Sequence, residues 1–193
     1  MQFKKAVDFI LDKLAKELPA HLTYHNVAHT RDVYRAAEQI GKQEGIAAAD
    51  IKLLLTAVAY HDAGFLKQAH GHEDESCRVA EATLPGFGYS AAQIDTIKGI
   101  IMATHIPQQP QTHLEEIIAD ADLDYLGRDD FFTIGETLRK EFLTAGAIKT
   151  EDDWNRLQVK FMEGHHYFTK ASANLRQAKK EQNLKQVKAK LNH

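Results

Sequence analysis

Cysteine is almost absent from this chain. Cys77 is the only one in 193 residues, so no disulfide can close within the chain and no cysteine-based zinc site can be built. A reducing compartment fits that usage. Long apolar runs are missing too. None reaches the roughly 18 to 20 residues of a membrane span, and the first residues lack the charged, apolar and small-residue regions of a signal peptide. The expectation is a cytoplasmic protein with no membrane partner. Net charge is only −3, so no overall field points to nucleic acid. There is no strand-like alternation of useful length, no internal repeat, no low-complexity linker, no Gly-rich phosphate loop and no nucleotide fingerprint.

What is present is helical periodicity. Hydrophobic residues make up 44% and charged residues 26%, as in ordinary globular proteins. A chain of this length is most economically one domain, residues 1–193. Phe3, Val7, Ile10, Leu14 and Leu18 share a helix face that stops near Pro19. Asn26 is a predicted N-cap for a helix carrying His29, Val33, Ala37 and Ile40 inward. Asp50 is expected to cap a largely apolar, central helix through Tyr60. Residues 63 to 71 read as a loop, followed by a helix from His72 to Leu84. Ser90 with Gln93, and Thr112 with Glu115, are capping-box patterns opening two further helices. Helices are predicted at about 129 to 143 and 151 to 163, and from about 167 to the C-terminus. The fold class is all-α.

Eleven histidines are a clear enrichment, and several fall on inward stripes. His29 lies on the face of Val33 and Ala36. His61 and Asp62 end the central helix, where Gly64 is expected to form a left-handed C-cap. His105 closes the run Ile97, Ile101, Thr104. Asp122 ends the stripe Leu114, Ile118, Ala121. A carboxylate on an apolar face is costly unless it is paired or bound to a cation. Imidazole and carboxylate together suit manganese, iron, cobalt, nickel or zinc, and magnesium less well.

The order His29, His61-Asp62, Asp122 resembles the H…HD…D pattern of the HD-domain metal-dependent phosphohydrolases. The likeness extends through Tyr24-His25-Asn26-Val27-Ala28-His29, which is also similar to the Tyr-His-Asn segment of cyclic-nucleotide phosphodiesterases. It continues in His72-Glu73-Asp74-Glu75-Ser76, Ala103-Thr104-His105, Asp120 to Gly127, Arg139 to Phe142 and His166 to Thr169, covering roughly residues 20 to 170. The resemblance implies a helical bundle in which His29, His61, Asp62 and Asp122 hold a divalent metal. It implies His72 and His105 as candidates for a second ion, so one or two ions are expected. It further implies Asp62, His25 and Glu73 as catalytic residues, with His25 donating a proton to the leaving group and Glu73 orienting water. Lys67 and Arg128 are candidates for substrate contact. The expected activity is hydrolysis of a small phosphoester, perhaps of a nucleotide. The alternative is an HD-type module that senses a nucleotide without turning it over.

Other residues read as structural. Trp154, Leu157, Phe161 and Met162 form a packing stripe. His165-His166 suit a helix-start or packing role, and His70 a loop. Arg139 and Lys140 beside Glu136 and Glu141 look like a salt-bridged surface. The lysine-rich C-terminal helix, about 167 to 193, is expected to pack its apolar stripe on the body, with nucleic-acid binding the alternative. It lacks interleaved aromatics that could stack bases.

Overall fold

The structure, a computed structural model, describes residues 1–191. The C-terminal helix expected over about 167 to 193 includes residues 192 and 193, which lie outside the described residues. The chain forms α1 (Phe3–Glu17), α2 (Val27–Gln43), α3 (Ala48–Tyr60), α4 (His72–Thr83), α5 (Ala91–Met102), α6 (His113–Asp122), α7 (Phe131–Thr144), α8 (Glu151–Gly164) and α9 (Lys170–Lys190). Short 3₁₀ turns lie at Ala63–Leu66, Leu84–Phe87 and Asp124–Gly127. No strand occurs among the described residues, so the all-α expectation stands.

Helix starts follow the cap chemistry of the sequence. The Asn26 side chain accepts from the backbone N–H groups of Ala28 and His29. Ser90 with Gln93, and Thr150 with Asp153, form complete capping boxes. At α6 the box is half made: Thr112 accepts from the Glu115 N–H, while the Glu115 carboxylate turns to the N–H of Gln111 at 2.6 Å. Asp50 is not a cap. Helix α3 begins earlier, with Ala47 at the N-cap position, and Asp50 sits in the first turn, where its charge still favours the helix dipole.

The core has two parts. The first gathers α1, α2, α4, α5 and α6 around α3, where every residue from Leu54 to Tyr60 is buried. Truncating Leu54 or Ile101 here would cost about 2–5 kcal/mol in lost burial and cavity formation. The second is smaller and joins Tyr24, Leu123, Tyr125, Leu126, Phe131, Met162 and Val187. The chain crosses between them at Asp122: Ala121 belongs to the first core and Leu123 to the second.

Helix α9 is fastened across that crossing. Asp120 is fully buried and accepts from the backbone N–H groups of Phe168 and Thr169 at 2.9 and 2.8 Å, and from the Thr169 hydroxyl at 2.7 Å. Asp124 takes a two-pronged contact from Arg176 at 2.6 and 3.0 Å. Asn183 donates to the carbonyls of Leu126 and Arg128. A Cβ on Gly127 would stand 2.5 Å from the Arg176 backbone oxygen, so only glycine lets α9 approach this closely. Several lysines of α9 are engaged: Lys179 with Asp129, Lys188 with Glu163, Lys190 over the Phe132 ring. Lys180 is buried and donates to the His165 carbonyl.

Candidate metal centre

The end of α3 explains why His and Asp can serve one point although they are adjacent. The helix stops at Tyr60, His61 is still helical, and Asp62 leaves the helix at φ −101°, ψ 9° before the 3₁₀ turn. That departure swings the Asp62 carboxylate beside the His61 ring. Gly64 is not the left-handed cap expected, since its φ is not positive. Its requirement is space: a Cβ there would lie 1.9 Å from the His72 carbonyl oxygen. Ser76 locks the turn, donating to the His61 carbonyl at 2.6 Å and accepting from the Gly64 N–H at 2.8 Å.

Four side chains converge. His29 Nε2 lies 3.1 Å from Asp122 Oδ1 and 3.5 Å from Asp62 Oδ2. His61 Nε2 lies 3.2 Å from Asp62 Oδ2 and 3.5 Å from Asp122 Oδ1. The His61 ring is oriented through Nδ1, 2.7 Å from the Val58 carbonyl, which leaves Nε2 as the inward donor atom. Ligand atoms at about 2.0–2.1 Å from a common centre stand roughly 2.8–3.4 Å apart at octahedral or tetrahedral angles. Ligand atoms of His29, His61 and Asp122 all lie within 4.8 Å of one another, a grouping that could hold one cation, and Asp62 Oδ2 stands beside both histidines. Two of these atoms, His61 Nε2 and Asp62 Oδ2, are buried without a hydrogen-bond partner. Such orphaned polar atoms are expensive in a folded interior, and a bound cation would satisfy both.

The local field has the matching sign. Burial disfavours the His61 imidazolium, but Asp62 and Asp122 outweigh burial and raise its pKa well above the usual histidine value. Burial likewise opposes ionised Asp62 and Asp122. The neighbouring histidines, His61 above all for Asp62 and His29 for Asp122, hold both carboxyls well below the ordinary range. The cluster is a buried point that favours positive charge.

Around it lies a cavity of about 340 Å³. His25, His72 and Glu73 line it beside Asp62 and Asp122. His25 stacks on Phe65 (ring centroids 4.3 Å, 19°), and His72 packs on Phe65 at 4.2 Å. Asp62 uses its second oxygen toward His72, Oδ1 to Nε2 3.5 Å. His105 is exposed and does not line the cavity. Its neighbour Thr104 does. Both lie past the end of α5, in the turn that follows Met102, so the inward stripe of the helix does not carry on to His105. Lys67 is 68% exposed and pairs with Glu75, away from the cavity. Arg128 pairs with Asp32, Asp124 and Asp130 in a separate, open groove of about 860 Å³. That groove is the larger, but it shares no lining residue with the centre and its cations face carboxylates.

The residue that local pattern hides is Glu141. Far from a surface salt bridge, it is buried and meets His25 Nδ1 with one oxygen. Its other oxygen accepts from the backbone N–H groups of Tyr24 and His25 at 2.9 and 3.1 Å. Arg139 instead pairs with Glu136. A sequence signal exists: Phe131, Ile134, Leu138 and Glu141 share one α7 stripe, so Glu141 is a carboxylate on an apolar face. Burial opposes protonated His25, yet the Glu141 hydrogen bond prevails and raises its pKa. The stripe of Trp154, Leu157, Phe161 and Met162 packs as expected, but also forms the cavity wall. Cys77 is buried, and burial pushes its thiol up to about 11.

The HD-domain profile matches residues 26–124, the span from the Asn26 cap to just past Asp122. Three solved structures share the fold. A predicted HD superfamily hydrolase from an uncultured Thermotogales bacterium is 16% identical with a TM-score of 0.65, covering 98% of this chain and 91% of its own. Bacillus subtilis YpgQ, solved in complex with ADP, is 18% identical with a TM-score of 0.65, covering 98% and 95%. A Lactobacillus plantarum protein is 16% identical with a TM-score of 0.68, covering 100% and 99%. No curated protein matches the chain by sequence. No helix among the described residues is long and apolar enough to cross a membrane. With the profile spanning His29, His61, Asp62 and Asp122 over more than half its length, this chain belongs to the HD-domain family.

Proposed function

We propose that the protein is a metal-dependent phosphohydrolase acting on a small phosphoester. The observation that carries this reading is the pair of orphaned atoms, His61 Nε2 and Asp62 Oδ2, completed by His29 and Asp122 at cation-binding distances. A divalent cation held there would supply a Lewis acid for a phosphoryl oxygen and acidify water into a nucleophile near neutral pH.

This chain's own residues complete the chemistry. Asp62 would hold the ion through Oδ2, and its Oδ1 faces His72. Glu73, buried at the cavity wall, accepts a hydrogen bond from the attacking water and orients it. His25, protonated and anchored at Nδ1 by Glu141, presents Nε2–H to the leaving oxygen as general acid. Phe65 stacks on the His25 ring and keeps it in plane. One ion is the better reading, because His105, one of the two further histidines that a second ion would use, stands outside the cavity.

The test is metal content by elemental mass spectrometry after reconstitution with manganese, iron or zinc, beside Asp62→Ala. One equivalent, lost in the variant together with phosphoester turnover, is expected. No metal in either protein would sink the reading. A second reading is a nucleotide-sensing module that keeps its ion without turnover. The ADP found with the Bacillus subtilis protein favours it. Tight ADP binding by metal-loaded protein, with no ester hydrolysed, would select it.

A further inference from the structure

The cavity is built in two chemical halves. Every titratable Asp, Glu or His side chain lining it sits at the end formed by the start of α2, the α3–α4 turn and the end of α6: His25, Asp62, His72, Glu73 and Asp122. The opposite end is made by α7 and α8, where Leu138, Phe142, Trp154, Leu157, Phe161 and Met162 converge and Gln158 is the one polar group. Phe142 and Trp154 meet edge to face, with ring centroids 6.0 Å apart at 82°. The apolar lining reaches solvent at Ile106 and Leu157, which are 49% and 38% exposed.

No lysine or arginine lines the cavity among the described residues. Three carboxylates (Asp62, Glu73, Asp122) line the cavity, and one divalent ion would offset only two of their charges. A di- or triphosphate carries three to four negative charges, and sites for such chains normally supply Lys, Arg or backbone nests. A sugar would also leave its hydroxyls against hydrocarbon, which costs when they are unpaired.

We propose that the substrate is a phosphate monoester whose alcohol is apolar and ring-bearing, its phosphoryl group at the ligand cluster and its body against α7 and α8. This rests on the phosphohydrolase reading and narrows it. Trp154 and its neighbours are then specificity determinants and not core alone. Shape fits the assignment: a volume of about 340 Å³ lies at the lower end of small-molecule sites, and aromatic walls favour ring-on-ring packing.

Trp154 is the one tryptophan of the chain, so its emission reports occupancy without turnover. The experiment titrates manganese-loaded protein with benzylphosphonate and methylphosphonate, whose P–C bonds are not hydrolysed, and with ADP, whose recovery intact is checked after each titration. Benzylphosphonate should bind at least about tenfold tighter than methylphosphonate, as burying one ring's apolar area requires, and should shift the Trp154 emission. Leu157→Asn, a change at a partly exposed position, should remove most of that advantage and leave methylphosphonate binding unchanged. Gln158→Leu should enlarge it. Equal binding of the two phosphonates, or tighter binding of ADP than of benzylphosphonate, overturns the inference and leaves the phosphohydrolase reading standing. Binding of neither phosphonate by protein that holds manganese overturns both.

Discussion

Two regions divide the labour of this molecule. The segment 26–124 carries all four converging ligands and fixes them through short-range contacts. His61 is set by Val58, three residues back, and by Ser76, fifteen residues on. The α7–α9 region carries none of these ligands and acts at long range. Glu141 reaches His25 across 116 residues, and α9 reaches Asp120 and Asp124 across about fifty. The lesson is that a metal centre can be written into local sequence, whereas the wall that faces its substrate is written into tertiary packing.

That division can be broken by experiment, and the largest effect is expected in the first region. His61→Ala should abolish metal retention and reduce turnover to background, read by elemental analysis and a phosphoester assay. Retention of a full equivalent would move the centre elsewhere. Next, His25→Ala should keep the metal and lower kcat by about 10²–10⁴ for poor leaving groups, the usual contribution of a general acid. A good leaving group such as p-nitrophenolate should lose far less. A uniform loss across leaving groups would remove the acid role.

Glu141→Gln tests the long-range link. Its carboxylate raises the His25 pKa, while burial alone lowers it. The protonated His25 is favoured below the unfolded histidine value of about 6.5 and is lost as pH rises through the raised folded value. Without Glu141 that folded value drops, so the alkaline limb of the pH–rate profile should move to lower pH. An unmoved limb would show that Glu141 does not tune His25. A smaller effect is expected for Thr169→Ala, which removes the α9 cap and one bond to buried Asp120. About 1–2 kcal/mol should be lost, a fall in Tm of roughly 2–8 °C for a domain of this size. Smallest of all, Lys67→Ala should leave KM unchanged, because that lysine points to Glu75 at the surface.

Much of the fold was legible because caps and periodicity are local. Asn26, Ser90 and Thr150 open their helices as the residue types demand. The grouping of His29, His61, Asp62 and Asp122 was implied by the resemblance to the H…HD…D pattern, and the structure brings the four side chains close together. The rest required three dimensions. Trp154 and Met162 obey the same stripe whether they face a solid core or a cavity. Glu141 sits beside two cations in sequence, and only the α7 stripe reveals that it turns the other way. His105 lies just past the end of α5, where the stripe that pointed it inward has already stopped, and a boundary error of a few residues hides that. The Gly64 position looked conformational and is steric, because the carbonyl it clears belongs to another element.

The alternation Asp120, Asp122, Asp124 has a consequence of its own. The middle carboxylate turns to the ligand cluster, while the outer two are gripped by the start and the side of α9. Any coupling between a filled centre and docking of the last helix would run through this one five-residue stretch. By reciprocity, whatever factor one contributes to the other must be returned in full. With a cation in the candidate centre, the C-terminal helix would be placed to act as a lever on its affinity, and resistance of that helix to proteolysis would serve as the gauge.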